Sequence, residues 1–175
     1  MDKKNGLSIF VVIGIIVLLL GVVLISAKKD NKDTSIEAPT SSSYDLSAFN
    51  LIEAEDINDF SKDKIYVVMI GRKNCNFSKQ ILPVLRSAQE NYDFQTNYIS
   101  LEDIVDESGN IKDKNSFTLL KQLDTNEDES IMDDFGYTPM LLFIKNKKIM
   151  KSYLGFIEYD KLCEMLESLK IKKRK

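Results

Sequence analysis

One segment decides how much of this 175-residue chain is left for a folded domain. Residues 7–27 form an apolar stretch without a charged side chain. A helix of that length is about 31 Å long, which matches the hydrocarbon core of a bilayer. We therefore predict a transmembrane helix over residues 7–27, preceded by a short stub, residues 1–6. A cleaved signal peptide is the alternative, but its apolar region is normally about 7–15 residues long, and Ile25-Ser26-Ala27 fits its cleavage site poorly.

The charges that flank this segment do not decide its orientation. Lys3 and Lys4 precede it, and Lys28, Lys29 and Lys32 follow it, so the positive-inside rule leans slightly towards a cytoplasmic C-terminal part. A very short stub before an apolar segment nevertheless resembles a signal-anchor. We predict a single pass through the cytoplasmic membrane, with the C-terminal domain outside the cytoplasm.

The composition excludes several classes of function. The chain has two cysteines, no histidine and a net charge of −3. A metal site with ordinary ligand spacing, a Ser-His-Asp triad or a Cys-His pair cannot be built from these residues. Two cysteines are also too few for a disulfide scaffold. The negative charge gives no reason to expect a nucleic-acid partner, and we expect neither a metal nor another cofactor.

Three parts follow the apolar segment. Residues 28–47 are charged and then small and polar, which predicts a flexible linker. Residues 48–170 suffice for one compact domain. Residues 171–175 form a basic tail, which we interpret as the solvated end of the last helix. Contact with anionic lipid or a cell-wall polymer is the alternative.

The hydrophobic pattern of the domain predicts alternating strands and helices. Strands are predicted at residues 49–54, 65–70, 94–99, 140–145 and 148–153, and helices at residues 56–62, 75–90, 116–123 and 158–170. This order predicts an α/β fold with parallel early strands and a final antiparallel hairpin that turns at Asn146-Lys147. Residues 101–136 are long and acidic, and are either a solvated loop or an insertion that shapes a partner surface.

The strongest motif lies between the second predicted strand and the helix after it. The sequence there reads Cys75-Asn76-Phe77-Ser78, with Pro83 eight positions after Cys75, Thr138-Pro139 before an apolar strand, and Gly155 16 positions beyond Pro139. These landmarks resemble the active-site segment, the helix-kinking proline, the cis-proline and the final glycine of thioredoxins. The resemblance covers about residues 48–170 and implies a thioredoxin-like fold, a central mixed sheet with flanking helices. Within that superfamily, the chain resembles Gram-positive bacterial proteins of the bacteriocin-transport-accessory type.

The position of Cys75 also predicts reactivity without the resemblance. A thiol at a helix N-terminus faces unpaired backbone N–H groups, which lowers its pKa. Arg72, Lys73 and Lys79 add positive charge nearby, and the Ser78 hydroxyl can donate a hydrogen bond to the thiolate. The alternative is an inert, buried cysteine.

The resemblance implies a catalytic role for Cys75 and Ser78 and a substrate-binding role for a second group of residues, Asn76, Phe77, Thr138 and Pro139. Ser78 stands where thioredoxins have their second cysteine. A hydroxyl cannot resolve a mixed disulfide, so a thiol from outside must do so. Cys163 is the only other cysteine, and we interpret it as structural, on the final helix.

Two further departures weaken the case for a disulfide reductase. Met69 stands where the family has a buried acid, and Asn74 stands where it has a tryptophan. Two hypotheses follow. The first is a monothiol protein that exchanges disulfides with protein or peptide partners, and the second is a binding or accessory module for secreted peptides or proteins that needs no thiol.

Overall fold

The computed structural model describes residues 44–125 and 130–175. The predicted transmembrane segment, residues 7–27, lies outside these residues, as does most of the predicted linker. Within the described ranges, no helix has the length and the apolar character needed to cross a membrane.

Five strands form one mixed sheet. They are β1 (Asn50–Leu51), β2 (Tyr66–Gly71), β3 (Thr96–Ser100), β4 (Met140–Lys145) and β5 (Lys148–Leu154). Their order in the sheet is β1-β3-β2-β4-β5. β3 is parallel to β1 and β2, while β4 is antiparallel to β2 and β5. The predicted parallel early strands and final antiparallel hairpin are therefore confirmed.

The hairpin turn is also as predicted. Asn146 and Lys147 join β4 to β5 with φ angles of 50° and 58°. Two successive residues with positive φ are typical of a type I′ turn, whose twist matches that of the strands it joins. Asparagine adopts this conformation more readily than most residues, which is why the sequence identified the turn.

Helices cover both faces of the sheet. They are α1 (Asn76–Asn91), α2 (Leu101–Ile104), α3 (Lys114–Leu123) and α4 (Tyr159–Ser168), with 3₁₀ helices at Ala54–Asp59 and Ile131–Asp134. Side chains alternate along β2, so Val67 and Met69 pack with α1 and α4, whereas Val68 and Ile70 pack with the first 3₁₀ helix, α2 and α3. Because both faces are covered, β2 is a continuous apolar run, as the sequence indicated.

The first two elements differ from the prediction. β1 is much shorter than residues 49–54, and the helix predicted at residues 56–62 is a 3₁₀ helix that begins at Ala54. Glu53 starts this helix early, because its backbone N–H donates to the Asp56 carboxylate in a capping box. Hydrophobic spacing does not reveal such a cap.

The acidic region contains more helix than expected. α2 was not predicted, and α3 begins at Lys114 rather than at residue 116. Asp113 caps α3, since its side chain accepts hydrogen bonds from the backbone N–H groups of Asn115 and Ser116.

The basic tail lies against the end of α1. Its side chains are mostly exposed, but the N–H of Asp93 donates to the Lys172 carbonyl, and the N–H of Arg174 donates to the Asn91 carbonyl. Lys173 also pairs with Glu167 at 2.8 Å. The backbone of the tail is therefore bound to the domain, which the interpretation as a solvated helix end did not anticipate.

Candidate functional site

Cys75 occupies the N-cap of α1, at the end of the loop that follows β2. A tight turn brings it there, because its N–H donates to the Arg72 carbonyl at 3.1 Å. The Cys75 carbonyl accepts from the N–H of Lys79, the first regular bond of the helix, at 3.1 Å. The side chain is partly exposed, so the thiol combines access to solvent with a position at the free N–H groups of a helix.

A second segment lies directly opposite the thiol. The peptide bond between Thr138 and Pro139 is cis, as the sequence predicted. The Cys75 thiol donates to the Thr138 carbonyl, with 3.2 Å between sulfur and oxygen, across 63 positions of sequence. The Pro139 carbonyl in turn accepts from the N–H of Gly155, whose φ is 90°. Three of the four landmarks identified in the sequence, Cys75, Pro139 and Gly155, therefore meet at one end of the sheet.

This arrangement decides the fold. A cysteine caps the helix after β2, a cis-proline precedes β4 and faces it, and the sheet is mixed in the order given above. The fold is thioredoxin-like. Pro83 lies inside α1, where the resemblance placed the family's helix proline.

Comparison with solved structures returns thioredoxins. Thioredoxin f2 of Chlamydomonas reinhardtii is 15% identical, with 69% of this chain and 95% of that chain covered and a TM-score of 0.47. Reduced thioredoxin pre-protein of Schistosoma mansoni is 19% identical, with 70% and 98% covered and a TM-score of 0.47. A mutant thioredoxin of Halobacterium salinarum is 15% identical, with 74% and 94% covered and a TM-score of 0.46. No family model and no curated protein matches the sequence.

The environment of Cys75 in the thioredoxin-like domain favours its thiolate. Burial is the largest single influence on the thiol pKa and raises it. Hydrogen bonds from Thr138, from the backbone and side chain of Ser78, and from the backbone of Phe77 together outweigh burial, so the pKa is lowered. Thr138 also has the opposite influence on this pKa, because its carbonyl accepts a hydrogen bond from the thiol and so favours the protonated form.

The hydrogen bonds, rather than the nearby cations, lower this pKa. The sequence predicted a contribution from Arg72, Lys73 and Lys79, but none of these is among the largest influences on the thiol. Lys73 is exposed and the other two are partly exposed. Solvent screens such charges, whereas a hydrogen bond acts at contact distance.

Ser78 is fully buried beneath the thiol. Its hydroxyl oxygen accepts from the Arg72 N–H at 3.4 Å, which leaves its hydrogen free to point at the Cys75 sulfur. The side chain therefore joins the loop before Cys75 to the helix after it. A serine in this position can stabilise the thiolate but cannot replace the second thiol of a dithiol protein.

Two exposed aromatic side chains belong to the two chain segments that meet at the thiol. Phe77 is 56% exposed and Tyr137 is 69% exposed. Phe77 was predicted as a substrate contact, and Asn76 beside it is also exposed. Tyr137, next to Thr138, was not predicted to be functional. Contiguous exposed apolar surface marks partner-binding sites, so these two side chains are candidates for contact with a partner.

The position in β2 where the resemblance implies a buried acid holds an apolar side chain. Met69 is fully buried in the core, and its terminal methyl lies near Gly71. Tyr98 and Tyr44 lie near the same glycine and share a hydrogen bond of 2.6 Å between their hydroxyl oxygens. Burial is the main cause that raises the pKa of Tyr98 to about 12, so this pair stays protonated at neutral pH.

Sequence analysis did not identify Glu102, which holds the active-site loop. One of its carboxylate oxygens accepts from the backbone N–H of Lys73, and the other accepts from the Ser100 hydroxyl, both at 3.0 Å. Glu102 follows β3, whose neighbour in the sheet is β2. Only the parallel pairing of these strands brings residues 29 positions apart into contact.

Cys163 lies far from Cys75, and both cysteines are free. Cys163 is partly buried on α4 and neighbours Tyr92, the residue at the C-terminal end of α1. Cys75 caps the opposite end of that 16-residue helix, roughly 24 Å away. A disulfide needs Cα atoms within about 7 Å of one another, so Cys163 cannot resolve a mixed disulfide at Cys75 in this fold.

The described ranges contain no group of three or more histidine, cysteine or acidic side chains arranged to hold a metal ion.

Proposed function

We propose that this chain is a membrane-anchored, extracytoplasmic protein in which Cys75 acts as a monothiol in thiol–disulfide exchange. The observation that carries the proposal is the setting of its sulfur. It is partly exposed at the N-terminus of α1, surrounded by donors that favour the thiolate, and 3.2 Å from the Thr138 carbonyl. A thiolate is the attacking form in this chemistry.

The exchange requires two steps. The Cys75 thiolate attacks a partner disulfide, forms a mixed disulfide with one partner sulfur and releases the other as a thiolate. An external thiolate then attacks the partner sulfur, forms a new disulfide with it and releases the Cys75 thiolate. No net oxidant or reductant is consumed, because one disulfide is exchanged for another. Cys163 is too distant to take the place of the external thiol.

Trapping tests the first step. Protein carrying Cys163→Ala is incubated with an extract of extracytoplasmic proteins, quenched with acid and analysed without reductant. We expect covalent adducts that disappear on reduction and are absent from the Cys75→Ser, Cys163→Ala protein. A thiol that forms no adduct and resists alkylation in the folded state would refute the proposed chemistry.

Labelling in intact cells tests the location. The proposal rests on the uncharged segment at residues 7–27 and predicts that a thiol reagent unable to cross membranes labels Cys75. It also predicts that the full chain sediments with membranes, while a chain that begins at residue 38 does not. Labelling only after lysis would overturn the extracytoplasmic location without touching the chemistry.

A binding module that needs no thiol is the second candidate function. The exposed Phe77 and Tyr137 favour it, as does the fully buried Met69 in place of the family's acid. It predicts that Cys75→Ser leaves binding of secreted peptides intact, while Phe77→Ser and Tyr137→Ser weaken it. The monothiol function predicts that Cys75→Ser abolishes disulfide exchange, whereas Phe77→Ser and Tyr137→Ser reduce it less.

A further inference from the structure

A pocket adjoins the active-site loop on the side away from Pro139. Its volume is about 590 Å³, and it lies where the carboxyl ends of β1, β3 and β2 meet. Ligands of open α/β sheets commonly bind in the crevice outside the carboxyl ends of the strands. We call it the strand-end pocket, and its functionally relevant lining residues are Tyr44, Leu51, Lys73, Tyr98, Glu102 and Asp103.

The strand-end pocket presents charges of both signs. Glu102 and Asp103 are carboxylates and Lys73 is an ammonium group. Within residues 44–125 and 130–175, Lys73 has no carboxylate within ion-pair distance. The two tyrosine rings and Leu51 supply apolar surface beside these charges. A small zwitterion with an apolar or sulfur-bearing side chain matches this combination, since its carboxylate would meet Lys73 and its ammonium group would meet Asp103.

The strand-end pocket is also close to the reactive thiol. Lys73 precedes Cys75 by two positions, so their Cα atoms are at most about 7.6 Å apart. Tyr44 also lines the strand-end pocket, and the charge of Cys75 contributes to raising the pKa of its hydroxyl, after burial, Tyr98 and Glu102. A molecule joined to Cys75 through a disulfide can therefore reach the strand-end pocket with its head group.

We infer that the strand-end pocket binds the amino-acid head group of a small thiol while its sulfur is joined to Cys75. This inference rests on the proposed function and names its substrate class, mixed disulfides between a protein thiol and an amino-acid thiol such as cysteine. The Cys75 thiolate attacks the sulfur of the small thiol, forms a disulfide with it and releases the protein thiolate, which takes a proton from water. A second molecule of the small thiol then releases the first as its symmetric disulfide and regenerates Cys75.

Small disulfides that differ only in their charged groups test this inference. Cystine carries an ammonium and a carboxylate on each half, cystamine only ammonium groups, dithiodipropionate only carboxylates, and bis(2-hydroxyethyl) disulfide no charge. The rate of adduct formation at Cys75 is measured by intact mass on the Cys163→Ala protein. Each rate is divided by the rate at which a free reference thiol reacts with the same disulfide. We expect a ratio for cystine about fivefold above that of the uncharged disulfide, the size that two exposed charge contacts give, and about twofold above those of cystamine and dithiodipropionate, which each keep one contact.

Charge variants locate the effect. Lys73→Met and Asp103→Asn should each lower the preference for cystine over the uncharged disulfide from about fivefold to about twofold, because each removes one of the two contacts. Lys79→Met is the matched control, because it removes the same charge near Cys75 from a residue outside the strand-end pocket. The preference should survive in this control. Equal ratios for all four disulfides in the unsubstituted site, or equal losses in Lys73→Met and Lys79→Met, would overturn the inference.

The two proposals fail in different ways. A Cys75 that reacts with none of the four disulfides refutes the proposed function. The strand-end pocket is then tested separately, by titrating S-methylcysteine into Cys75→Ser protein and following the ring signals of Tyr44 and Tyr98 by NMR. Saturable shifts that are lost in Lys73→Met support the binding site, and the absence of shifts overturns it.

Discussion

Substitution of Ser78 offers the sharpest test of how the site lowers the thiol pKa. In Ser78→Ala, the Cys75 thiolate loses one hydrogen bond from a buried hydroxyl, while the donors from Thr138 and the backbone remain. A hydrogen bond to a charged group contributes about 1.5–3 kcal/mol, and one pKa unit corresponds to about 1.4 kcal/mol. Taking the lower end, because other donors remain, we expect the pKa of Cys75 to rise by about one unit.

The effect on rate should change sign with pH. Well below both pKa values, the thiolate fraction falls about tenfold, and the more basic thiolate is about threefold more nucleophilic at a Brønsted slope of 0.4–0.5. Ser78→Ala should therefore react with a small neutral disulfide about threefold more slowly at low pH. Above both pKa values, where both proteins are fully ionised, it should react about threefold faster.

The assay is the rate of reaction with bis(2-hydroxyethyl) disulfide from pH 5 to pH 10, in a Cys163→Ala background that removes the second thiol. Ser87→Ala is the matched control, because Ser87 is an exposed serine on the same helix. Rate profiles of Ser78→Ala and the parent that superimpose, without a crossing point, would refute the role of the Ser78 hydroxyl. Urea denaturation of Ser78→Ala should separately show a loss of about 1 kcal/mol in the free energy of unfolding, since the Arg72 N–H loses its acceptor.

Substitutions at three positions test what stabilises the fold. Folding lowers the pKa of Cys75, so between the two pKa values the folded chain binds fewer protons than the unfolded chain. The free energy of unfolding of the parent should therefore rise relative to that of Cys75→Ser as pH rises towards the ordinary thiol pKa, and this gain should be lost as pH falls through the folded pKa. A difference in urea denaturation that does not depend on pH would contradict this. Gly71→Ala should lower the free energy of unfolding by about 1–3 kcal/mol, because the added Cβ would lie 2.8 Å from the Tyr98 ring. An unchanged stability would show that the ring moves aside without cost. Asp113→Ala should cost about 1 kcal/mol and Asp113→Asn much less, since asparagine also caps helices; equal losses would assign the effect to charge.

The parts of the fold that the sequence predicted depend on local patterns. The apolar run of β2, the stripe of Ile81, Leu82 and Leu85 on α1, and the turn at Asn146-Lys147 are all encoded within a few neighbouring residues. The meeting of Cys75 with Thr138 is not local, and it was predicted only because the spacing of the landmarks resembled a known family.

The parts that the sequence missed depend on strand pairing. Glu102 reaches Lys73, and Tyr44 reaches Tyr98, only after β1, β3 and β2 lie side by side. The same is true of the tail, whose backbone pairs with the end of α1. Hydrophobic periodicity carries no information about such contacts, since it reports which face of an element is buried and not which element covers it.

The two ends of the described domain lie at opposite ends of α1. Tyr44, the first described residue, packs near the thiol, while Lys173 of the tail pairs with the end of the helix roughly 24 Å away. A fluorophore, affinity tag or surface tether joined after Lys175 therefore leaves the thiol and the strand-end pocket open to large partners. The same group joined directly before Tyr44 competes with them for space, so immobilisation and imaging experiments on this chain belong at its C-terminus.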